Sequence, residues 1–323
     1  MAIPAPTPAT EPRSARPGGC FKVVVASGKG GTGKTLVSSQ LAHWFAERGV
    51  ATTYVDADAE APNGHIVLRP EISRASRVRV RSITIRSDIC NGCGSCTEVC
   101  AFGALVPGLH RVHQVVEHCR GCGSCLIACP RGALVEGERD VGSVVVGQAG
   151  RIRYVAGAVD VGERRAVPVI EASIALAAES CGDGILVIDG PPGNACPVMA
   201  ALKQADLAIL VTEPTPFGAH DLAITADTCA AFGVPSAIVV NRAGLGDYPI
   251  DDVLAPRGLT VTATIPFDSD IARESARDPG GWSSPPALDA AIGQLARWVR
   301  DRLPAPPQCS SLPDDGPSRG VSA

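Results

Sequence analysis

The 323-residue sequence predicts an α/β protein, a doubly wound and mostly parallel sheet interrupted by a small, cysteine-rich α+β insert. Three observations predict it. Short apolar runs alternate with segments of helical periodicity along the chain, the pattern of a parallel sheet covered on both faces. A glycine-rich loop, Gly28 to Thr35, separates the first apolar run from the first helical segment. A 17-residue stretch with four cysteines is nearly repeated 29 positions later.

The elements follow in order. Phe21-Lys22-Val23-Val24-Val25-Ala26 reads as a buried strand, and Leu36 to Arg48 as a helix, with Val37, Leu41, Ala42 and Phe45 at helical spacing. Between them, Gly28, Gly33, Lys34 and Thr35 fit the G-x-x-x-x-G-K-S/T pattern of a phosphate-binding loop. Gly28, Lys29, Gly30, Gly31, Thr32 and Gly33 would turn backbone N–H groups toward phosphates at a helix N-terminus. Lys34 would reach the β- and γ-phosphates, and the Thr35 hydroxyl would ligate Mg²⁺. Thr53 to Asp58 reads as the second strand, with two acids, Asp56 and Asp58, at its C-terminal end. Ile185-Leu186-Val187-Ile188-Asp189 is a strand that ends in the acid expected on the Mg²⁺ side of such a site. A stiff turn, Gly190 to Gly193, follows. Ala208 to Thr212 and Ala237 to Asn241 are further buried strands, and Ala219–Phe232 and Leu288–Leu303 are helical. The whole is a sheet of P-loop NTPase type, with ligands at the C-terminal strand ends.

The repeat lies in the insert. Cys90, Cys93, Cys96 and Cys100 in the first copy, and Cys119, Cys122, Cys125 and Cys129 in the second, are spaced two, two and three residues apart. Eleven of the 17 aligned positions are identical, too many for chance spacing. This is the bacterial ferredoxin run for [4Fe–4S] clusters, in which the fourth cysteine serves the other cluster. Cys90, Cys93, Cys96 and Cys129 would hold one cluster, and Cys119, Cys122, Cys125 and Cys100 the other. A pair of zinc sites is the alternative for thiolate quartets. One departure from the run is Ala101, where proline is usual. The lead-in holds Arg69, Arg74, Arg77, Arg79, Arg81 and Arg86 against one acid, Glu71. It reads as a strand with a solvated face, in preference to a docking face for an acidic redox partner. His118 reads as an exposed loop residue.

Five cysteines lie outside the repeat. Disulfides are not expected in a cytoplasmic protein. Cys20 and Cys309 fall at the chain ends, Cys181 and Cys229 suit small core positions, and Cys196 reads as a small buried residue at a helix start. The sharper reading of Cys196 is a thiolate that meets its copy across a dimer axis and binds a shared metal or cluster. Aromatic residues make up 4% of the chain, so the expected core is aliphatic. A net charge of −4 argues against broad nucleic-acid binding. No apolar run approaches a membrane span, and 1–19 lacks a hydrophobic signal core. The expected organisation is a disordered arm at 1–19, a P-loop domain in two parts at 20–68 and 137–303, a ferredoxin-like insert at 69–136 and a disordered tail at 304–323.

Lys29-Gly30-Gly31-Thr32-Gly33-Lys34-Thr35, Asp56-Ala57-Asp58, Asp189-Gly190-Pro191-Pro192-Gly193 and Val240-Asn241-Arg242 together resemble the MinD/ParA/Mrp group of P-loop ATPases, more narrowly those with an inserted ferredoxin domain. The resemblance implies that ATP is hydrolysed and that Lys29 reaches across a homodimer to the partner's nucleotide. It further implies that Asp58 positions the attacking water, Asp189 holds the Mg²⁺ shell and Asn241 contacts adenine. Asp56 is expected to order its loop. The expected function is a cytoplasmic ATPase whose nucleotide-driven dimerisation is coupled to electron transfer through two [4Fe–4S] clusters, with ATP and Mg²⁺ as the other ligands. Its expected partners are a second copy and a redox or metallocofactor-assembly protein, without nucleic acid or membrane insertion. An ATP-dependent scaffold for iron–sulfur or metallocofactor assembly is the alternative, and a MinD/ParA-like positioning ATPase ranks third.

Overall fold

A computed structural model describes residues 19–277 and 285–304. Most of the expected arm and tail, and Cys309, lie outside the described residues. The strands are β1 (Phe21–Ser27), β2 (Thr52–Asp56), β3 (Glu71–Ile85), β4 (Leu105–Pro107), β5 (Val112–Gln114), β6 (Leu134–Ala149), β7 (Ile152–Val159), β8 (Ile185–Pro192), β9 (Leu207–Thr212), β10 (Ser236–Ala243) and β11 (Val261–Pro266). The helices are α1 (Lys34–Glu47), α2 (Gly64–Leu68), α3 (Ser95–Glu98), α4 (Ser124–Ala128), α5 (Val167–Ala178), α6 (Cys196–Leu202), α7 (Pro216–Phe232), α8 (Ile250–Leu254), α9 (Ser269–Arg277) and α10 (Pro286–Arg300).

Nine strands form one sheet in the order β11-β10-β9-β1-β8-β2-β7-β6-β3. From β11 to β7 the pairs are parallel; β7–β6 and β6–β3 are antiparallel. The apolar runs are continuous because both faces of the sheet are covered. Successive β1 residues serve opposite cores: Val24 and Ala26 face one, Val23 and Val25 the other. Strand β8 divides in the same way, with Leu186 and Ile188 against Ile185 and Val187. The core that contains residues of α5, α6 and α7 has no buried aromatic residue, as the composition suggests. The core that contains residues of α1 and α10 takes Phe21, Trp44, Phe45, Tyr54 and Tyr154.

The insert is organised differently from the expectation. Strands β3 and β6 pair along almost their whole length and continue the main sheet. The cysteines of the repeat all fall in the stretch 86–133 between these strands, where a small core joins Leu105 and Val112 to Ile83 of β3 and Leu134 of β6. The alternation of the lead-in explains its place. Val78 is buried and Val80 packs against the α5-side core. The arginines that alternate with them point outward to acids of β6 and the loop after β7. Arg77 Nε lies 3.0 Å from Asp140, Arg79 Nε 3.2 Å from Asp140 and Arg81 Nη2 2.7 Å from Glu136. The solvated-face reading fits this ladder.

Two cysteines depart from the expectation. Cys20, just before β1, and Cys181, after α5, form a disulfide with Cα atoms 5.6 Å apart. They lie 161 positions apart in sequence, so spacing could not pair them. Cys229 is fully buried, as expected, and burial pushes its thiol up to about 11.

Candidate functional site

The loop from Gly28 to Gly33 leaves the C-terminal end of β1 and enters α1 at Lys34. Gly33 has a φ of 98°, a left-handed conformation that favours glycine. A side chain there would also strike Asn241, since its Cβ would lie 2.3 Å from Nδ2. The Lys34 ammonium is buried and donates to Ser27 Oγ at 3.1 Å. Burial lowers its pKa, while Asp189 and Asp58 oppose the shift.

Asp189 is 1% exposed. Its Oδ2 accepts from Thr35 Oγ1 at 2.7 Å and from Tyr54 Oη at 3.0 Å. Its Oδ1 is buried without a hydrogen-bond partner. Burial pushes the carboxyl up to about 6, against the hydrogen bond from Thr35 and the charge of Lys34. A threonine hydroxyl beside an unmatched buried carboxylate oxygen is a hard oxygen donor set that fits Mg²⁺. Asn63 Oδ1 lies 3.2 Å from the same Thr35 hydroxyl.

Asp56 stands beside Asp189 on the neighbouring strand. It accepts from the backbone N–H groups of Gly64 at 2.7 Å and Asp58 at 3.2 Å. Burial and the nearby Asp189 push it up to about 7. It orders the loop that carries Asp58. Asp58 itself is half-buried, and burial raises its pKa against the charge of Lys34.

Lys29 does not wave in solvent. Its Nζ lies 2.8 Å from Glu213 Oε2, and Arg242 pairs with Oε1 of the same carboxylate. The amide of Asn241 is engaged on its own chain, donating to Thr32 O at 2.7 Å and accepting from Arg242 N at 2.9 Å. It braces the phosphate loop in this structure. Sequence reasoning missed Tyr54, Asn63 and Glu213. A tyrosine inside a buried strand and an Asn-Gly pair after Asp58 were the available signals for the first two. Glu213 directly follows an apolar strand, as Asp189 ends one.

The cysteine unit keeps its internal repeat in the backbone. The φ angles of Gly92 and Gly121 are 72° and 66°, those of Gly94 and Gly123 are 82° and 83°, and those of Gly103 and Gly132 are 61° and 59°. The copies exchange their fourth cysteines. Cys90, Cys93, Cys96 and Cys129 line one cavity. The Cys125 thiol lies in the field of Cys119, Cys122 and Cys100. Matching backbone donors reach the exchanged sulfurs: Ala104 N to Cys100 Sγ and Ala133 N to Cys129 Sγ, each at 3.3 Å. Among the described residues, no group of three or more His, Cys, Asp or Glu is gathered so as to hold a metal ion. His118 is exposed, as expected, with Nδ1 3.5 Å from Gly103 O. Cys196 corrects its expectation: it is exposed at the first residue of α6.

Strand, phosphate loop, helix and a buried acid on the neighbouring strand define a P-loop nucleotide-binding protein. The family model "CobQ/CobB/MinD/ParA nucleotide binding domain" matches residues 23–279, and the chain belongs to that family of MinD/ParA-type ATPases. It is 33% identical over 255 residues to the uncharacterized protein MJ0578 of Methanocaldococcus jannaschii, covering 78% of this chain and 87% of the relative. The fold is similar to the septum site-determining protein MinD of Pyrococcus horikoshii, solved with Mg-ADP, at a TM-score of 0.54 and 21% identity over 87% of this chain and 96% of that one. It is also similar to a ParA family ATPase of Chlorobium tepidum, at a TM-score of 0.53 and 16% identity over 86% and 98% of the two chains. No helix among the described residues is long and apolar enough to cross a membrane.

The raised pKa of Asp189 has a stability consequence. Between about 3.8 and about 6 the folded state holds a proton that the unfolded chain has released, so this group's contribution to stability falls as pH rises through that window. In Asp189→Asn the amide oxygen can accept from Thr35 and Tyr54, and the pH-dependent cost disappears. Without Mg²⁺ or nucleotide, the variant should gain on the wild type by roughly 2–3 kcal/mol from pH 4 to pH 7, read by urea denaturation. Mg²⁺ should stabilise the wild type at pH 7 and leave the variant unchanged.

Proposed function

We propose that the protein is an ATP-hydrolysing iron–sulfur ATPase whose nucleotide-driven dimerisation is coupled to electron transfer through two [4Fe–4S] clusters. The observation that carries the reading is a chain of contacts between the Asp58 loop and the base of the cysteine-bearing ribbon. Ala59 O accepts from Val159 N at 2.9 Å, and Asp160 N donates to Val141 O of β6 at 3.1 Å. The Asp160 carboxylate accepts from Arg77 Nη1 of β3 at 3.0 Å. A movement of the loop on ATP binding therefore acts directly on the two strands that carry the cysteines.

In this reading each residue of the site has a role. The phosphate loop and Lys34 bind and orient the triphosphate, and Thr35 with Asp189 would hold Mg²⁺. Asp58, beside Lys34 and at the γ-phosphate end, orients water. Lys29 reaches the nucleotide of a second copy, placing a cation where charge develops on the transferred phosphoryl group. Cys90, Cys93, Cys96 and Cys129 would hold one cluster, and Cys119, Cys122, Cys125 and Cys100 the other. Such clusters, when bound, supply one-electron transfer. Two tandem copies of the full ferredoxin spacing favour cubanes over zinc.

The assembly-scaffold reading gains from one observation: Cys93 and Cys122 are exposed, and an exposed thiolate ligand eases cluster exchange with an acceptor. The family itself keeps a positioning role in view, with pelleting on liposomes and DNA as its test.

Anaerobically prepared protein should contain about eight irons per chain. The crossing of the quartets makes a sharper forecast. Cys93→Ser and Cys129→Ser should remove the same cluster, and Cys122→Ser and Cys100→Ser the other, as read by electron paramagnetic resonance of the reduced protein. Stoichiometric zinc without a brown chromophore would sink the assignment.

For the nucleotide switch, Lys29→Ala should bind ATP yet lose ATP-dependent dimerisation and most hydrolysis. Lys34→Ala should lose binding, and Asp58→Ala should accumulate an ATP-bound dimer on size exclusion. A monomeric Lys29→Ala protein that hydrolyses ATP at the wild-type rate would exclude the cross-chain role.

Coupling is tested by redox titration of Asp58→Ala with and without Mg-ATP. A tenfold difference in ATP affinity between redox states corresponds to a midpoint shift of roughly 59 mV for one electron. A shift of that order is expected, and it should shrink in a protein that also carries Asp160→Ala. Identical midpoints would leave the scaffold reading in front.

A further inference from the structure

Glu213 lies between the end of β9 and the start of α7, and its side chain is 9% exposed. Two cations of the same chain share its carboxylate: Lys29 at 2.8 Å on Oε2, and Arg242 on Oε1. The two cations are held unequally. Arg242 is fixed through its backbone, which has a φ of 53° and an N–H bound to Asn241 Oδ1 at 2.9 Å. Asn241 in turn grips the phosphate loop at Thr32 O. Lys29 reaches the carboxylate from a loop whose next two residues, Gly30 and Gly31, are exposed. The inequality lies in the backbone and not in exposure, since the side chains of Lys29 and Arg242 are 38% and 45% exposed.

This arrangement allows one cation to leave without stranding a buried charge. A carboxylate that loses its sole partner in a desolvated place is strongly penalised. Here Arg242 remains on Glu213 when Lys29 departs. Both contacts are half-exposed at the cation, the weaker kind of ion pair; Lys29, on the phosphate loop itself, is the cation that the concentrated negative charge of a nucleotide can draw away. We infer that Glu213 is a positioning residue that restrains Lys29 on its own chain, with Arg242 as the counter-ion that lets it go when the nucleotide of a second copy arrives. The inference rests on the dimer reading above and adds to it a threshold set within each monomer. The face beside it is open to a second copy: Phe217, in the first turn of α7, is 79% exposed.

Opposite changes at the two partners of Lys29 should move the threshold in opposite directions. Glu213→Gln keeps the shape and removes the charge, so the ATP concentration for half-maximal dimerisation should fall about threefold or more. Hydrolysis at low protein concentration should rise by a similar factor. Arg242→Gln leaves Glu213 with Lys29 as its ion-pair partner and should raise the half-maximal ATP concentration. The restraint is ionic, so the wild-type threshold should fall as salt is raised, while that of Glu213→Gln should respond less. Glu213→Asp should restore part of the wild-type threshold. Each protein is measured full-length by light scattering against ATP, with ATP affinity of the monomer measured separately at low protein concentration. Equal thresholds in both variants, or shifts in the same direction, overturn the inference while leaving the dimer reading intact. A wild-type protein that binds ATP and stays monomeric overturns both. If Glu213→Gln fails to fold, a lower or unchanged threshold in Arg242→Gln is the overturning result.

Discussion

The carboxylate of Asp189 is buried at the end of a central strand, and one of its oxygens has no partner in the protein. Burying such a charge costs several kcal/mol even after the surroundings relax. Much of the surrounding architecture answers that cost. The order β1-β8-β2 puts the phosphate loop on one side of Asp189 and Asp56 on the other. Thr35, at the start of α1, and Tyr54, on β2, supply hydroxyls to one oxygen, and Lys34 supplies charge. The second oxygen is buried with no hydrogen-bond partner, and a bound cation would meet it. Asp56 beside it increases the need, because two neighbouring carboxylates disfavour each other's ionisation. The pair is unmatched without a cation, and a nucleotide carries one in. Binding and relief of an internal electrostatic conflict are thus the same event.

Local patterns made much of this readable. The phosphate loop, the acid at the end of β8 and the two acids after β2 each follow an apolar run, and each landed on the C-terminal edge of the sheet. The repeat also reads through to the backbone, where the paired glycines of the two copies share their left-handed conformations and Cys129 of the second copy lines a cavity with Cys90, Cys93 and Cys96 of the first. What stayed hidden depends on residues far apart in sequence. The arginines of β3 looked like a basic lead-in because their acids, Glu136, Glu138 and Asp140, come after the whole cysteine unit. Once the two strands pair, the segment stops being an insert and becomes sheet. Cys20 and Cys181 were separated in the same way. Cys196 was misjudged for a local reason: a small residue beside proline at a helix start reads as packed, but the turn before α6 lifts it to the surface.

Lys29 illustrates a different limit. The loop pattern calls for the lysine at position 34 and gives no reason for one at 29. Its neighbours in space come from the ends of β9 and β10, where Glu213 directly follows one strand and Arg242 lies in the last residues of the other. Nothing in the spacing of those three residues relates them. The parallel sheet does, by delivering every strand end to one edge.

The antiparallel ribbon of β3 and β6 leads to one last consequence. Strand β7 pairs with β6 only from Gly142 to Ala149. From Leu134 to Val141 the ribbon continues past the sheet on the side where Asp56 and Asp189 emerge, a span of roughly 25 Å at about 3.4 Å per residue. The cysteines sit at the tip of this arm. That length exceeds a Debye length of about 8–10 Å, so the charge of a nucleotide is screened from the thiolates. In the proposed coupling, what passes along the arm is leverage. A tilt of a few degrees at its foot, where Arg77 meets Asp160, becomes a displacement of an ångström or more at its end. In the proposed dimer, two such arms would swing relative to one another, adding a change of distance to the proposed shift in cluster potential.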